Sequence, residues 1–345
     1  MTLTDFFHIY SSHPLIKQIC EWSIGADRHL SVGSLFASAR QAAVCELFNQ
    51  SKKNILFVAD DAESAGYAFF DISQIVDKNS VAMFPALYKK INKSGGIDKA
   101  NEILRTDALN KINSQNTCIT VTYPDALLEK VISFDGFDEI KITLKKNQNF
   151  DTNILQKKLE ELGFEEVDFV YEAGQFSVRG SIIDIFSFAN ELPYRLDFFG
   201  DTVESIRIFD IEKQLSISEV EEISIVPDIQ LPSICGEGSG EGLGLISLLE
   251  FMPKDTIVLF NSLKNCAERI DETYTEALVK ENENRKTSCH SREGGNPQIQ
   301  KEKGYSRLRG NDTVPDLLFK FINKEIFLSQ IEEFRIIEFS AGAKK

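Results

Sequence analysis

Apolar positions alternate between two patterns along the first 135 residues. The run "SARQAAVCELFNQ" (38–50) has the spacing of a helix, and "NILFVAD" (54–60) is a continuous apolar segment typical of a strand buried on both faces. A second such strand, "NTCITVTYP" (116–124), ends in proline and precedes the helical run "DALLEKVI" (125–132). Strands that alternate with helices predict an α/β layer built on a parallel sheet.

The pattern changes at about residue 136. Asp151 is suited to cap a helix that carries Leu155, Leu159 and Leu162 on one face and ends at Gly163. Segments with the two-residue alternation of short strands flank this helix at 138–148, 166–188, 193–211 and 218–227. The region is therefore predicted to be a separate α+β domain dominated by antiparallel strands.

A Gly-rich and Ser-rich segment (231–244) then leads back to a helix, a buried strand and a second helix, and the chain closes with "FRIIEFSA" (334–341). The tract at 287–313 has too few apolar residues to offset the entropy of ordering it, and we predict that it is disordered. Its ends, "SREGGNP" and "RLRGNDT", resemble translated palindromic repeats of bacterial genomes. A functional basic loop is the alternative. The predicted units are 1–135, 136–228 and 229–345.

Composition narrows the classes of partner. With 345 residues and 42% hydrophobic content, the chain is long enough for two or three domains with their own cores. A net charge of -15 and a pI near 4.9 oppose non-specific binding to DNA or to an anionic membrane, and suit a basic partner surface. No apolar run is long enough to span a bilayer, so we expect a cytoplasmic protein without a membrane partner.

Cysteine and histidine positions do not indicate a metal site. The cysteines have no C-x-x-C spacing, and reduced, buried thiols are the expectation. The histidines have no metal-ligand spacing with one another. The positions are Cys20, Cys45, Cys118, Cys235, Cys266 and Cys289, and His8, His13, His29 and His290.

The stretch "GSLFASAR" (33–40) occupies the strand-to-helix position of a phosphate-binding P-loop, G-x-x-x-x-G-K-[ST]. Gly33 matches the first glycine. Ser38 replaces the second glycine, Ala39 the lysine and Arg40 the hydroxyl residue, so the spacing is retained while the phosphate-binding chemistry is lost. Either an emptied nucleotide site or a chance similarity explains the pattern.

Two strand-like motifs place charged and aromatic side chains outward. In "QFSVRG", Phe176 and Val178 oppose Ser177 and Arg179. In "PYRLDFF", Tyr194, Leu196 and Phe198 likewise oppose Arg195, Asp197 and Phe199, before a hairpin turn at Gly200-Asp201. An exposed Phe beside Arg is typical of an interface hot spot. The alternative is that Phe199 lies under a loop while the arginines pair with Asp197 and Glu204.

Two ordered stretches closely resemble a known family. Residues 174–210, "GQFSVRGSIIDIFSFANELPYRLDFFGDTVESIRIFD", and 220–227, "VEEISIVP", resemble the N-terminal region of the bacterial transcription-repair coupling factors, the Mfd family. The flanking "FVYEAG" and "VTYPDAL" agree with this resemblance. It implies a UvrB-like module: a degenerate RecA-like domain in two segments, 1a (1–135) and 1b (229–345), with domain 2 (136–228) inserted between them.

The resemblance also implies a partner. In the family, domain 2 binds UvrA, a nucleotide excision repair protein, through an Arg in "VRG", an Arg in "PYRLDFF" and the last Phe of that motif. Here these residues are Arg179, Arg195 and Phe199. Where relatives often carry a basic residue after "FD", this chain has Gln214-Leu215-Ser216, which puts any contact at that point in doubt.

Nucleotide chemistry is not expected from the same resemblance. UvrB carries a working P-loop, whereas the coupling-factor module has lost it, and "GSLFASAR" follows the second pattern. The strand "TIVLF" (256–260) runs into Asn261-Ser262 and not into the acidic pair that would hold Mg²⁺. The segment 84–112 is short and has a mainly helical pattern, whereas UvrB has a long aromatic hairpin in this position that probes DNA damage. We expect no catalytic residues and no cofactor.

The sequence thus favours a non-catalytic module that recruits UvrA in transcription-coupled repair. Contacts with RNA polymerase and DNA are expected only through family regions that this chain lacks. The rival hypothesis is an ATP-binding, UvrB-type DNA-processing subunit with a divergent loop. A third possibility is a non-functional gene fragment, because the family's proteins continue into a polymerase-binding domain and a translocase motor.

Overall fold

The structure is a computed structural model that describes residues 13–33, 35, 38–87, 99–114, 116–190, 192–227, 244–290 and 320–340. Its helices are α1 (Pro14–Ile24), α2 (Ser38–Ser51), α3 (Ala62–Ser73), α4 (Lys99–Ile112), α5 (Pro124–Leu127), α6 (Phe134–Ile140), α7 (Thr152–Glu161), α8 (Leu248–Phe251), α9 (Leu263–His290) and α10 (Lys324–Ile331). Its strands are β1 (His29–Gly33), β2 (Ile55–Val58), β3 (Val81–Met83), β4 (Ile119–Thr122), β5 (Val131–Ile132), β6 (Ile142–Lys145), β7 (Glu165–Glu166), β8 (Gln175–Arg179), β9 (Ile182–Ile185), β10 (Tyr194–Phe199), β11 (Thr202–Phe209), β12 (Ser216–Glu219), β13 (Glu222–Ile225), β14 (Leu245–Ile246), β15 (Ile257–Phe260) and β16 (Arg335–Ser340).

A six-stranded sheet has the order β1-β16-β15-β2-β4-β3, and every neighbouring pair in it is parallel. All four residues of β2, β4 and β15 are buried, which explains their continuous apolar runs. Strands β15 and β16 come from the last hundred residues and lie between β1 and β2. The sheet is therefore built from two segments of the chain, as the sequence predicts.

The second six-stranded sheet has the order β12-β11-β10-β9-β8-β7 and is antiparallel except for the β7–β8 pair. Helix α7 packs Leu155 and Leu159 into the core beneath it. Asp151 caps this helix by accepting hydrogen bonds from the backbone N–H of Asn153 and Ile154, at 2.8 and 3.3 Å. The α+β character predicted for this region is confirmed.

The chain passes between the two cores at residues 140–142 and again at 225–226. Phe137 and Ile140 belong to the first core, whereas Ile142 belongs to the second. On the return, Ile225 belongs to the second core and Val226 to the first. Helix α6 is held in the first core because Phe134 and Phe137 pack on the ring of Phe251, with ring centroids at 4.2 and 6.1 Å. Residues 228–243, which include most of the Gly-rich segment, lie outside the described residues.

Two sequence expectations about local elements were wrong. The helix predicted through 132 ends at Leu127, because Val131 and Ile132 instead pair antiparallel with Ile246 and Leu245. The strand predicted from 138 begins only at Ile142, after α6. In both places, pairing with residues distant in sequence decides the conformation.

Helix α9 continues to His290, four residues into the tract at 287–313 that we predicted to be disordered, and residues 291–313 lie outside the described residues. Within the described part of the chain, no helix is long and apolar enough to cross a membrane. Those residues also contain no group of three or more His, Cys, Asp or Glu side chains that could hold a metal ion.

Four of the cysteines are buried and free: Cys20, Cys45, Cys118 and Cys266. This confirms the expectation of reduced, buried thiols for these positions. Burial raises the pKa of Cys20 to about 11 and that of Cys45 to about 12, so both thiols stay protonated near neutral pH. Cys235 lies outside the described residues.

Candidate protein-binding surface

Two short hairpins create the outward face of the second sheet. The turns Gly180-Ser181 and Gly200-Asp201 join β8 to β9 and β10 to β11, each with the glycine at positive φ, +63° and +61°. A glycine at the first turn position suits a type II′ turn, which matches the twist of the flanking strands. These tight turns set the register of the hairpins and place Phe199 beside the second turn.

The predicted alternation is confirmed on β8 and β10. Phe176, Leu196 and Phe198 are buried in the core, while Arg179 and Arg195 lie on the opposite face. Cross-strand pairing aligns Ser177, Asp184, Arg195 and Arg207 in one row of this face. Arg179, Arg195 and Phe199 are therefore brought to one side of a single sheet, as the sequence predicts.

Phe199 is 80% exposed. This overturns the alternative in which its ring lies beneath a neighbouring loop. When a partner covers a large aromatic side chain, much apolar surface leaves water and binding becomes more favourable. Aromatic residues are therefore frequent in interface hot spots. Its neighbour Phe198 is 4% exposed, so the backbone that carries Phe199 is anchored in the core.

A buried carboxylate joins the two arginines. Asp184 is 1% exposed and accepts hydrogen bonds from Arg195, Nε to Oδ1 at 2.7 Å and Nη2 to Oδ2 at 2.8 Å, and also from Nη2 of Arg179. The alternative pairing of these arginines with Asp197 and Glu204 is wrong, since Asp197 instead pairs with Arg207 at 3.4 Å. The hydrogen bonds with Asp184 raise the pKa of Arg195, despite the opposing effect of desolvation.

The arginines differ in accessibility, which corrects the expectation that both are exposed. The Arg195 side chain is 15% exposed and covers the ring of Phe209, with Cζ 4.3 Å from the ring centroid. The Arg179 side chain is 35% exposed and lies 5.2 Å from the half-exposed ring of Phe169. Arg179 and Phe199 are therefore the members of the set that can readily touch a partner.

Asp184 is the residue that the sequence interpretation missed. Ile183 and Ile185 on either side of it are buried in the core, so strand alternation alone places Asp184 on the arginine face. The turn at Gly180-Ser181 also places it opposite Ser177. Both signals are readable in "FSVRGSIIDI", but the pairing across to Arg195 required the order of the strands.

The P-loop-like segment lies at the carboxyl end of the parallel sheet. Gly33 ends β1, and Ser38, Ala39 and Arg40 begin α2. Arg40 donates from Nε to the carbonyl oxygen of Leu35 at 2.9 Å and from Nη1 to Oδ1 of Asn261 at 2.6 Å. This arginine thus connects the two halves of the sheet domain.

A carboxylate also stands at this end of the sheet. Asn261, which follows β15 in place of the expected acidic pair, donates from Nδ2 to Oδ2 of Asp60 at 2.8 Å. Arg40, Asp60, Asn261 and Tyr67 help to line a cavity of about 280 Å³, slightly below the range of about 300–1,000 Å³ usual for small-molecule sites. The sequence interpretation missed Asp60, which is brought to Asn261 by the parallel pairing of β2 and β15.

The fold is thus a parallel α/β domain with an inserted, mostly antiparallel sheet, and one face of that sheet carries arginines and an exposed phenylalanine. The inserted sheet matches a known family. Residues 142–230 match the model of the UvrB interaction domain. The match covers the whole of the second sheet, including Arg179, Asp184, Arg195 and Phe199.

Matches to curated relatives are longer than residues 142–230 and therefore include part of the parallel-sheet domain. The chain is 27% identical over 205 residues to the transcription-repair-coupling factor of Escherichia coli (strain K12), which is 59% of this chain and 18% of that protein. The corresponding factor of Bacillus subtilis (strain 168) is 26% identical over 200 residues, 58% of this chain and 17% of its own length. That of Myxococcus xanthus is 37% identical over 102 residues, 30% of this chain and 8% of its own.

Together these matches confirm the resemblance read from residues 174–210 and 220–227: the chain is similar to an N-terminal, UvrB-like module of the transcription-repair-coupling factors. Its matched part spans less than a fifth of the length of the Escherichia coli relative.

Proposed function

We propose that this chain is a non-catalytic interaction module that recruits UvrA in transcription-coupled nucleotide excision repair. The observation that carries the proposal is the exposed ring of Phe199 beside the Asp184-anchored arginine pair, inside a UvrB interaction domain. An exposed aromatic side chain next to a fixed cation is a composition that protein interfaces favour. The curated relatives, whose names describe coupling of transcription to repair, support the same conclusion.

The arginine face carries charges of both signs. Arg179, Arg195 and Arg207 contribute three positive charges there, and Asp184, Asp197 and Glu219 contribute three negative charges, the last directly opposite Arg207 on β12. Complementary charge on the partner would speed association and fix its orientation. We place any contact with RNA polymerase or DNA in regions outside the matched segment, and propose a cytoplasmic location.

Binding of the full chain to purified UvrA tests the proposal. We expect Phe199→Ala and Arg179→Ala each to weaken binding by at least about 1–2 kcal/mol, as truncation of hot-spot residues does. Lys254→Ala is a matched control, because it removes an exposed cation from the other domain. Titration calorimetry gives the affinities. Unchanged UvrA affinity in the Arg179→Ala/Phe199→Ala double variant would refute the proposed surface.

A further inference from the structure

The Arg195 side chain has little left to offer a partner, because each of its nitrogens is already engaged. Nε and Nη2 hold Asp184, while Nη1 donates to the backbone oxygen of Gln214 at 3.3 Å and Nη2 to its side-chain Oε1 at 3.2 Å. The guanidinium also covers Phe209, and the side chain is 15% exposed. Few of the donor groups of Arg195 are therefore free to bind a partner directly.

What Arg195 holds is the turn between β11 and β12. The backbone N–H of Asp210 donates to the carbonyl of Leu215 at 2.9 Å, and that of Gln214 donates to the carbonyl of Asp210 at 2.8 Å. Gln214 itself adopts positive φ, +57°, a conformation that costs a non-glycine residue free energy. The two hydrogen bonds from Arg195 to Gln214 add to those within the turn, such as Gln214 Nε2 to the carbonyl of Ile211 at 2.8 Å, and help to hold the residue that precedes Leu215.

Leu215 and Ile217 are presented to solvent immediately after this turn. Their exposures are 65% and 59%, and we refer to the pair as the β12 strip. Strand β12 is the edge of the second sheet, and all four of its residues are exposed. Natural proteins usually protect edge strands with charges or coverings, because an exposed apolar edge favours association. An apolar strip in this place indicates a surface that a partner covers.

The partner that fits is the one bound by Phe199. Phe199 lies four positions after Arg195 on β10, which is about 13 Å along a strand. A protein interface of standard size buries about 800 Å² on each partner and is about 30 Å across. A partner centred on Phe199 and Arg179 therefore extends about 15 Å and reaches Arg195, which contacts Gln214 at the start of the strip.

We propose that Leu215 and Ile217 form a second, apolar contact for UvrA, and that Arg195 contributes to binding by positioning this strip. The inference rests on the proposed function and deepens it. It divides the surface into a polar and aromatic end at Arg179 and Phe199 and an apolar end at β12. It also assigns a contact to Leu215, which stands where the sequence put any contact in doubt.

Affinity measurements with the full chain and purified UvrA test the β12 strip. The variant Leu215→Ser/Ile217→Thr keeps a β-branched residue in β12, and we expect it to bind UvrA at least tenfold more weakly. The loss should persist at high salt, whereas the loss caused by Arg179→Ala should shrink. Ile154→Ser, at an exposed apolar position on α7, is the matched control and should bind as the parent does.

The positioning role of Arg195 is tested by a double-mutant cycle. If Arg195 acts through the strip, Arg195→Ala/Leu215→Ala should lose no more affinity than the more damaging single variant. Hydrogen exchange at the Asp210 and Gln214 amides, which are hydrogen bonded within the turn, should rise in Arg195→Ala. Additive losses, or unchanged exchange at both amides, would overturn the positioning role.

Failure of this inference differs from failure of the proposed function. If Phe199→Ala weakens UvrA binding while Leu215→Ser/Ile217→Thr does not, the strip is overturned and the proposed function stands. If the unmodified chain does not bind UvrA, the proposed function fails. Light scattering that shows a dimer dissociated by the strip variant, with UvrA affinity unchanged, would assign the strip to a second copy of this chain and overturn the inference.

Discussion

At the scale of single residues, Asp184 decides what the two arginines can do. A carboxylate that is 1% exposed must be hydrogen bonded, and here guanidinium groups from β8 and β10 satisfy it. The same contacts hold Arg195 against Phe209 and keep Arg179 at the edge of the cluster. The geometry of the proposed surface therefore depends on a residue that a partner cannot reach.

Replacement of Asp184 should reduce both stability and binding. We expect Asp184→Asn to lower the free energy of unfolding by roughly 2–3 kcal/mol, because two guanidinium groups lose their shared counter-charge while partial exposure moderates the loss. UvrA binding should weaken as well, since Arg179 loses its anchor. Urea unfolding measures the first effect and calorimetry the second.

Asp197→Asn is the comparison, because Asp197 pairs with Arg207 across 3.4 Å and both side chains are about a third exposed. Its cost should stay below about 1 kcal/mol. Equal destabilisation by the two variants would contradict the central place given to Asp184.

At the scale of elements, the turn between β1 and α2 shows how a nucleotide-type position can serve as a structural connection. A P-loop presents backbone N–H groups and a lysine to phosphates. Here Arg40 instead reaches the carbonyl of Leu35 and the amide of Asn261, and Asn261 reaches Asp60. These side chains join the ends of β2 and β15 to the start of α2. In a P-loop protein, the bound phosphates occupy this position.

Nucleotide titration checks this interpretation. We expect a fluorescent ATP analogue with Mg²⁺ to show no saturable binding at millimolar concentration, because the loop lacks the lysine and the hydroxyl that hold phosphate and Mg²⁺. Arg40→Ala should not create binding, and should lower thermal stability through the loss of its two hydrogen bonds. Saturable, Mg²⁺-dependent binding that disappears in Arg40→Ala would support the ATP-binding rival.

At the scale of the whole molecule, the last strand completes a sheet begun by the first. β16 lies between β1 and β15, so residues 335–340 pair with residues near both 30 and 260. The second sheet has its own core, made from residues between Ile142 and Ile225. The chain therefore leaves one core, builds a second and returns.

This organisation predicts separable responses to core mutations. Ile337 is fully buried in the first core, and Ile337→Ala should lower the free energy of unfolding by about 2–5 kcal/mol. Hydrogen exchange should rise in β1 and β15 with little change in β10. Leu196→Ala, at a fully buried position of the second core, should show the reverse. Equal acceleration across both sheets in either variant would contradict two separate cores.

Local pattern was sufficient for much of this architecture. Continuous apolar runs identified β2, β4 and β15, and two-residue alternation identified the faces of β8 and β10, because burial on two faces and burial on one leave different periods. The cap at Asp151 and the turn at Gly200-Asp201 were also predicted, since they depend on neighbours in sequence. The ordered motifs at 174–210 and 220–227 were enough to indicate the family resemblance.

Only the tertiary structure decided which distant residues meet. Val131 and Ile132, predicted as helix, form a strand because they pair with residues 245 and 246. The fold also places three distant pairs in contact: Asp184 with Arg195, Arg40 with Asn261, and Asn261 with Asp60. These contacts depend on strand order and register, which local periodicity does not contain. For the same reason, sequence alone determined that Arg195 faces outward, and the fold determined that Gln214 and Asp184 engage it while Leu215 stays exposed.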